Sequence, residues 1–322
     1  MTYNINIQPA NIHYQASSDT TLLDAALANK LSLQHSCKKG TCGTCSATVL
    51  SGVIKNESGE LVNTGAVLTC QSYAQSDVVL KATYYPELAD IPCVTLPCKI
   101  DQQSFLTDDI LIITLRLPPT TPFRYLPGQY IDLIAGGIRR SYSIANTCIE
   151  GTRIELHVRL LPEGEFSQVL KHSTLHQLMR LEGPKGTFFI REATNPIVFL
   201  AGGTGFAPVK AMVEGLLANK SARQIYIYWG MPRASSLYTD VGKSWTNEYD
   251  QVHYVPVISS EDAEWAGRRG FVHQAVLDDF PNLSDYHVYA CGSPLMIDAA
   301  KNAFITKGLD SAHFYSDAFV PS

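Results

Sequence analysis

The sequence has no apolar run approaching the ~18 residues that a membrane-spanning helix needs. Its start, Met1-Thr2-Tyr3-Asn4-Ile5, lacks the basic and apolar regions of an export signal. Positive charge is not in surplus either: 25 Lys and Arg against 30 Asp and Glu give a net charge of −5. A general nucleic-acid binder would carry a basic face, so that class is disfavoured. Internal repeats and low-complexity tracts are missing. The 9 histidines show no ligand-like spacing, and His253 and His273 read as solvated or satisfied in the core. These absences lead us to expect a soluble cytoplasmic protein. Its 322 residues, 45% of them hydrophobic, suffice for two or three domains.

What the chain does have is a cysteine pattern. Cys37-x4-Cys42-x2-Cys45, with Cys70 further along, has the spacing of a plant-type [2Fe–2S] cage, in which four thiolates hold two irons and two sulfides. Gly40 and Gly43 fall inside the loop, where positive φ angles and close backbone approach let amides face the sulfurs. Cys37, Cys42, Cys45 and Cys70 are therefore the expected metal ligands. A four-cysteine zinc site is the alternative, but it prefers two separated C-x2-C pairs and only one is present. Cys93, Cys98 and Cys148 read as free thiols of a reducing compartment. Lys38 and Lys39 beside the cage would steer an acidic partner, although such charge pairs are commonly just solvated surface.

Three textures follow one another along the chain. Up to about residue 90, alternation in Tyr3–Ile7 and Ile12–Tyr14 predicts a hairpin. Thr20 or Thr21 would cap a helix through Leu31 with Leu22, Leu23, Ala26 and Leu27 inward. A strand over Ala47–Leu50, a turn around Asn56–Glu60 and the apolar Ala66-Val67-Leu68 lead to Cys70. The proline-bearing stretch from Tyr85 to Pro97 reads as a connection, with the linker proper at 91–97. Residues 98–193 carry short alternating runs and turn signals, which suggest an antiparallel barrel or sandwich. From 194 to 322 strands alternate with helices. There Pro196–Ala201 runs into Gly202-Gly203-Thr204-Gly205-Phe206-Ala207-Pro208 and a helix with Val209, Val213, Leu216 and Leu217 on one face. Strand, glycine turn and helix are the context of a dinucleotide site, with a structural tight turn as the lesser alternative. Further strands are expected at Gln224–Trp229, Val252–Ser259 and His287–Ala290.

Within the second segment, Arg139-Arg140-Ser141-Tyr142-Ser143 resembles the flavin motif of the ferredoxin–NADP reductase superfamily. The resemblance implies that Arg140 pairs with the FAD pyrophosphate, Tyr142 packs on the flavin ring and Ser143 hydrogen-bonds near flavin N5. A forked guanidinium and a flat aromatic suit those tasks. Gly164-Glu165-Phe166-Ser167 resembles the family's Gly-x-x-Ser at a helix start, which implies that Gly164 and Ser167 meet the pyrophosphate. Gly183-Pro184-Lys185-Gly186-Thr187-Phe188 is similar to another family signature. Gly202, Gly203, Thr204, Gly205 and Pro208 take the nucleotide-turn positions. Cys291-Gly292-Ser293-Pro294 is similar to the family's motif beside the nicotinamide, which makes Cys291 and Gly292 cofactor contacts and, with Ser143, makes Cys291 a catalytic candidate. Phe319 stands where relatives keep an aromatic near the flavin. After the second strand of this segment, Arg233 leaves NADPH open while Asp240 opposes a 2′-phosphate, and NADH is favoured.

The implied architecture is multidomain α+β and α/β: a β-grasp ferredoxin domain at 1–90, an antiparallel β-barrel FAD domain at 98–193 and a parallel-sheet nucleotide-binding domain at 194–322. That order on one chain resembles the single-component reductases. Stretches such as Tyr84-Tyr85-Pro86-Glu87-Leu88, Ile227-Tyr228-Trp229-Gly230-Met231-Pro232 and Ser316-Asp317-Ala318-Phe319-Val320-Pro321 are similar to the branch serving 3,6-dideoxyhexose synthesis for bacterial O-antigen polysaccharide. This branch implies electron flow from NADH to FAD to [2Fe–2S], and on to a pyridoxamine-phosphate [2Fe–2S] sugar dehydrase. A flavin takes two electrons together and releases them singly, so the order of carriers follows from their chemistry. The alternative is the reductase component of an aromatic-ring dioxygenase or multicomponent monooxygenase. A non-enzymatic module that binds zinc and nucleotide is the reading from a different class.

Overall fold

The computed structural model describes residues 1–147 and 152–319. Cys148, one of the expected free thiols, lies outside them, as do Val320 and Pro321 of the ending just quoted. The chain divides into two compact units, Met1–Pro92 and Cys93–Ser322.

The first unit begins with β1 (Thr2–Gln8), β2 (Ile12–Ser17) and α1 (Leu22–Ala28). Then come β3 (Ser46–Ser51), β4 (Ile54–Lys55), β5 (Leu61–Val62), β6 (Gly65–Leu68), β7 (Tyr73–Ala74) and β8 (Val78–Lys81). The main sheet runs β2-β1-β8-β3-β6, and β5-β4-β7 form a small second sheet. Alternation buries Ile5, Ile7, Tyr14 and Ala16 on the face that α1 covers with Leu22, Leu23 and Ala26. Thr21, of the two threonines considered, is the cap: its Oγ1 accepts from the Asp24 amide at 3.1 Å. The helix stops at Ala28 and does not reach Leu31. Asn29 donates through Nδ2 to the Ala25 carbonyl at 2.8 Å, and Lys30 turns left-handed at φ 60°.

The second unit opens with β9 (Val94–Phe105), β10 (Ile110–Arg116), β11 (Tyr130–Ala135), β12 (Ile138–Ser143), β13 (Arg153–Arg159), α2 (Glu165–Lys171) and β14 (Leu178–Lys185). These strands form one antiparallel sheet, β12-β11-β14-β9-β10-β13, and a bridge from Ile144 to Leu156 joins its ends into a barrel. Residues 94–97, inside the stretch read as linker, pair with β14. Pro97 is tolerated because β9 has a single neighbour there, its pairing with β10 starting only at Lys99.

The same unit continues with β15 (Ile197–Gly202), α3 (Phe206–Ala218), β16 (Ile225–Met231), α4 (Val241–Glu248), β17 (Val252–Ile258) and β18 (Arg268–Arg269). It closes with α5 (Val272–Asp279), β19 (His287–Gly292), α6 (Pro294–Thr306) and β20 (Phe314–Ala318). All pairs are parallel in the order β18-β17-β16-β15-β19-β20. Helix α3 covers one face and α5 and α6 the other, so Ile197-Val198-Phe199-Leu200-Ala201 is buried on both sides. The edge strand β20 is absent from the expected elements. It fixes the place of Phe319, because Gly292 pairs with Ala318 and the Phe319 amide donates to the Gly292 carbonyl at 2.8 Å.

Candidate functional site

The cysteine loop lies between α1 and β3 and has no regular structure. Gly40 and Gly43 take φ of 77° and 68°, the left-handed region that glycine enters without cost. Gln71 pins the loop to the strand beyond, donating to the Lys38 carbonyl at 3.3 Å and the Cys70 carbonyl at 2.8 Å. The Thr69 amide and hydroxyl both donate to the Cys45 carbonyl at 3.1 Å. Around Cys37 Sγ stand the Lys39 amide at 3.3 Å and the Thr41 hydroxyl at 3.5 Å. Burial opposes ionisation of Cys37, but these donors outweigh it and hold the thiol down to about 7.

The four thiols come together as two pairs. Cys37 is hydrogen-bonded with Cys42, and Cys45 Sγ lies 3.2 Å from Cys70 Sγ. Among the described residues no three of His, Cys, Asp and Glu converge on one point as a single metal ion requires. Two irons that each need two protein thiolates suit the paired arrangement better than one zinc ion. His35, buried nearby, is occupied by the Leu33 carbonyl at 2.8 Å, and burial keeps it neutral at about 4. Lys38 makes a 3.7 Å ion pair with Asp24.

In the barrel, strand register places Tyr142 opposite Ile131 and Arg140 opposite Leu133, on the core side of β12. Ser143 pairs with Tyr130 and, by strand alternation, faces the other side, where it is buried. That outer face is fixed by Asp132, which accepts from Lys185 at 2.6 Å, Ser141 at 2.6 Å and Arg139 at 2.9 Å. Tyr142 packs 6.1 Å from Phe166, ring centre to ring centre. Arg140 makes one hydrogen bond among the described residues, to the Arg139 carbonyl at 2.8 Å, which leaves most of its guanidinium N–H groups for an anion. Ser167 accepts from the Leu161 amide at 2.9 Å and so shapes the turn before α2. A side chain at Gly164 would meet that hydroxyl at 2.9 Å. An aromatic ring that meets α2 at Phe166 and a largely free guanidinium two residues back on the same side of β12 suit a flat ring with a phosphate tail.

The glycine turn sits at the switch point of the parallel sheet, where successive strands depart to opposite sides of β15 and β19. Ligands of open α/β sheets bind outside the strand ends at such a point. Gly203 has φ 59°. A Cβ at Gly205 would meet the Cys291 carbonyl carbon at 2.7 Å, and one at Gly292 would meet Gly202 Cα at 3.2 Å. Bare backbone is therefore required in the turn and at the end of β19. Pro208 stands in the first turn of the 13-residue α3, where its missing N–H costs nothing. The start of that helix favours an anion. Gly202, Gly203, Thr204, Gly205, Cys291, Gly292 and Phe319 are brought together here. The Cys291 thiol, in contrast, points into the core and is fully buried, and burial pushes its ionisation far up. Arg233 is exposed at the end of β16, and Asp240 pairs with Lys243 at 2.7 Å.

Sequence reasoning missed a polar chain that joins the barrel to the glycine turn. Glu155 Oε1 meets His157 Nε2 at 2.9 Å and Lys210 Nζ at 3.0 Å. His157 Nδ1 meets the Tyr238 hydroxyl at 3.0 Å. Lys210 also donates to the Ala145 carbonyl at 3.1 Å, two residues beyond Ser143. The Glu155-x-His157 spacing marks one strand face, but nothing local ties it to Lys210 or Tyr238.

Three families match in chain order: the 2Fe-2S iron-sulfur cluster binding domain at residues 5–75, the oxidoreductase FAD-binding domain at 97–190 and the oxidoreductase NAD-binding domain at 199–302. The chain is 51% identical to the CDP-6-deoxy-L-threo-D-glycero-4-hexulose-3-dehydrase reductase of Yersinia pestis, over 100% of both chains. It is 48% identical to protein RfbI of Salmonella typhimurium, over 100% of this chain and 98% of that one. The reductase component 1 of terephthalate 1,2-dioxygenase from Comamonas sp is 31% identical over 100% and 98%. Among solved structures, the Amycolatopsis cytochrome P450 reductase GcoB superimposes with a TM-score of 0.80 at 28% identity, covering 99% of each chain.

Proposed function

Because the chain belongs to the CDP-6-deoxy-L-threo-D-glycero-4-hexulose-3-dehydrase reductase family of iron–sulfur flavoproteins, we propose that it carries electrons from NADH to a dehydrase of that kind. What supports the reading most is identity of 51% over the full length of both chains, against 31% for the terephthalate dioxygenase reductase. When bound, FAD takes up the nicotinamide hydride and the [2Fe–2S] cluster carries electrons away one at a time.

The chain's own residues bind, orient and tune. Cys37, Cys42, Cys45 and Cys70 hold the irons, and the Lys39 amide and Thr41 hydroxyl stabilise thiolate charge at Cys37. Arg140 would hold the FAD pyrophosphate together with the turn at Gly164 and Ser167, and Tyr142 would cover the ring. Ser143 supplies a hydroxyl at the end of β12. Gly202, Gly203, Thr204, Gly205 and Pro208 would hold NADH, with Cys291, Gly292 and Phe319 beside its nicotinamide. Cys291 contributes backbone there, since its buried thiol faces the core and serves as neither acid nor base. The partner is a pyridoxamine-phosphate [2Fe–2S] sugar dehydrase of dideoxysugar biosynthesis, and the work is done in the cytoplasm. No helix among the described residues is long and apolar enough to cross a membrane.

The test is anaerobic reconstitution of the purified holoprotein with NADH, the candidate dehydrase and its CDP-sugar. NADH consumption that depends on the dehydrase, with loss of the sugar's 3-hydroxyl, is expected. Turnover with an aromatic-ring dioxygenase supplied with O2, and none with the dehydrase, would transfer the chain to the oxygenase reductases.

A further inference from the structure

We propose that Tyr238, His157 and Lys210 are positioning residues that hold the glycine turn in register with the flavin strand. This inference rests on the reading of NADH and FAD sites given above. The chain of contacts starts beside the flavin motif. Past Ser143, the Ala145 amide donates to the Glu155 carbonyl at 2.8 Å, so Glu155 and His157 lie one strand away from Tyr142. Lys210, on the helix that the glycine turn opens, reaches back to that strand. It binds the Ala145 carbonyl at 3.1 Å and the Glu155 carboxylate at 3.0 Å, with Glu214 at 2.7 Å on its other side.

The second arm runs through rings. His157 and Tyr238 meet edge to face at 5.4 Å, and Tyr238 meets Trp229 edge to face at 4.9 Å. Trp229 donates its indole N–H to the Gly203 carbonyl at 2.9 Å and stacks on Phe206 at 4.3 Å. Gly203 is the left-handed residue of the turn, a conformation that glycine takes without the cost a side chain carries, and the indole fixes its carbonyl. Burial holds His157 neutral. Its Nε2–H then donates to the ionised Glu155, and Nδ1 accepts from the Tyr238 hydroxyl. Every link has a direction, and each end sits on a different cofactor's wall. Hydride transfer needs reacting atoms about 3–3.5 Å apart, and a shift of ~1 Å costs up to ~100-fold in rate. A brace between these two walls sets that distance.

Tyr238→Phe removes the one hydroxyl and keeps the ring. The measurement is anaerobic single-turnover reduction of the bound flavin by saturating NADH, with FAD content and melting temperature followed in parallel. We expect the limiting reduction rate to fall about tenfold or more, within the range that misplacement allows. FAD content should stay unchanged, and the isotope effect from C4-deuterated NADH should grow as hydride transfer becomes limiting. Lys210→Arg, which keeps the cation, should retain more of the rate than Lys210→Met. An unchanged reduction rate in Tyr238→Phe would overturn the inference. So would Lys210→Met losing FAD and rate in equal proportion, because the cluster would then be mere packing. Failure of NADH to reduce the unsubstituted holoprotein would instead refute the functional reading beneath it.

Discussion

Gly205→Ala puts the architecture of the nucleotide turn under direct strain. The backbone at Gly205 is ordinary, with φ −58°, so an alanine there pays no conformational penalty. Its methyl group, however, would lie 2.7 Å from the Cys291 carbonyl carbon and 3.1 Å from the Gly292 amide nitrogen. The obstacle is strand backbone, held in parallel register with β15 at Ala201 and Cys291, and it cannot swing aside as a side chain would. Overpacking of this kind costs about 1–3 kcal/mol, and an unyielding neighbour places it at the upper end. For a unit of this size each kcal/mol moves the melting temperature by roughly 2–4 °C, so a fall of about 6–12 °C is expected. Gly203→Ala is the control. It has open space, with only Arg159 Nη1 at 3.8 Å, but a left-handed φ of 59°. It should cost about 1–2 kcal/mol. Thermal unfolding followed through the buried Trp229 and Trp245 reads both variants. If Gly205→Ala melts with the parent, or above Gly203→Ala, the close approach of the turn to the end of β19 is wrong.

Cys42→Ser should abolish electron delivery to an acceptor protein while leaving NADH-dependent reduction of dyes through FAD, as steady-state assays with both acceptors will report. Tyr142→Ala should weaken FAD retention, measured as flavin lost on gel filtration; unchanged affinity would withdraw its stacking role. Burial alone would raise the Glu155 carboxyl, but His157 and Lys210 hold it down at about 2. Against an unfolded value near 4.3, that depression contributes on the order of 3 kcal/mol, present above about pH 4.3 and lost as pH falls towards 2. Glu155→Gln should therefore be less stable at pH 7 and should show a flatter acid limb in urea titrations run from pH 7 to pH 3.

Local signals made much of this protein legible. The Cys37-x4-Cys42-x2-Cys45 spacing, the Arg140-x-Tyr142-Ser143 strand and the turn from Gly202 to Gly205 each fall within a few residues, and a short stretch of chain fixes its own geometry. The buried strands of the parallel sheet were readable because both faces are apolar. Elements that depend on distant pairing were not. β20 holds Ser316 and Asp317, and it becomes a strand because β19 offers an edge. Residues 94–97 are drawn into the barrel by β14 despite Pro97. α1 ends early because Asn29 and Lys30 satisfy its last carbonyls better than another turn would. The brace from Glu155 to Tyr238 was hidden for the same reason, since His157 and Tyr238 stand 81 residues apart.

The carrier order is tested most directly by adding NADH anaerobically to freshly prepared holoprotein and following flavin absorbance together with the electron paramagnetic resonance of a reduced [2Fe–2S] cluster. Bleaching of the flavin followed by appearance of the cluster signal, which the dehydrase then discharges, is the predicted course. A fully reduced flavin with a cluster that never takes up an electron would contradict it.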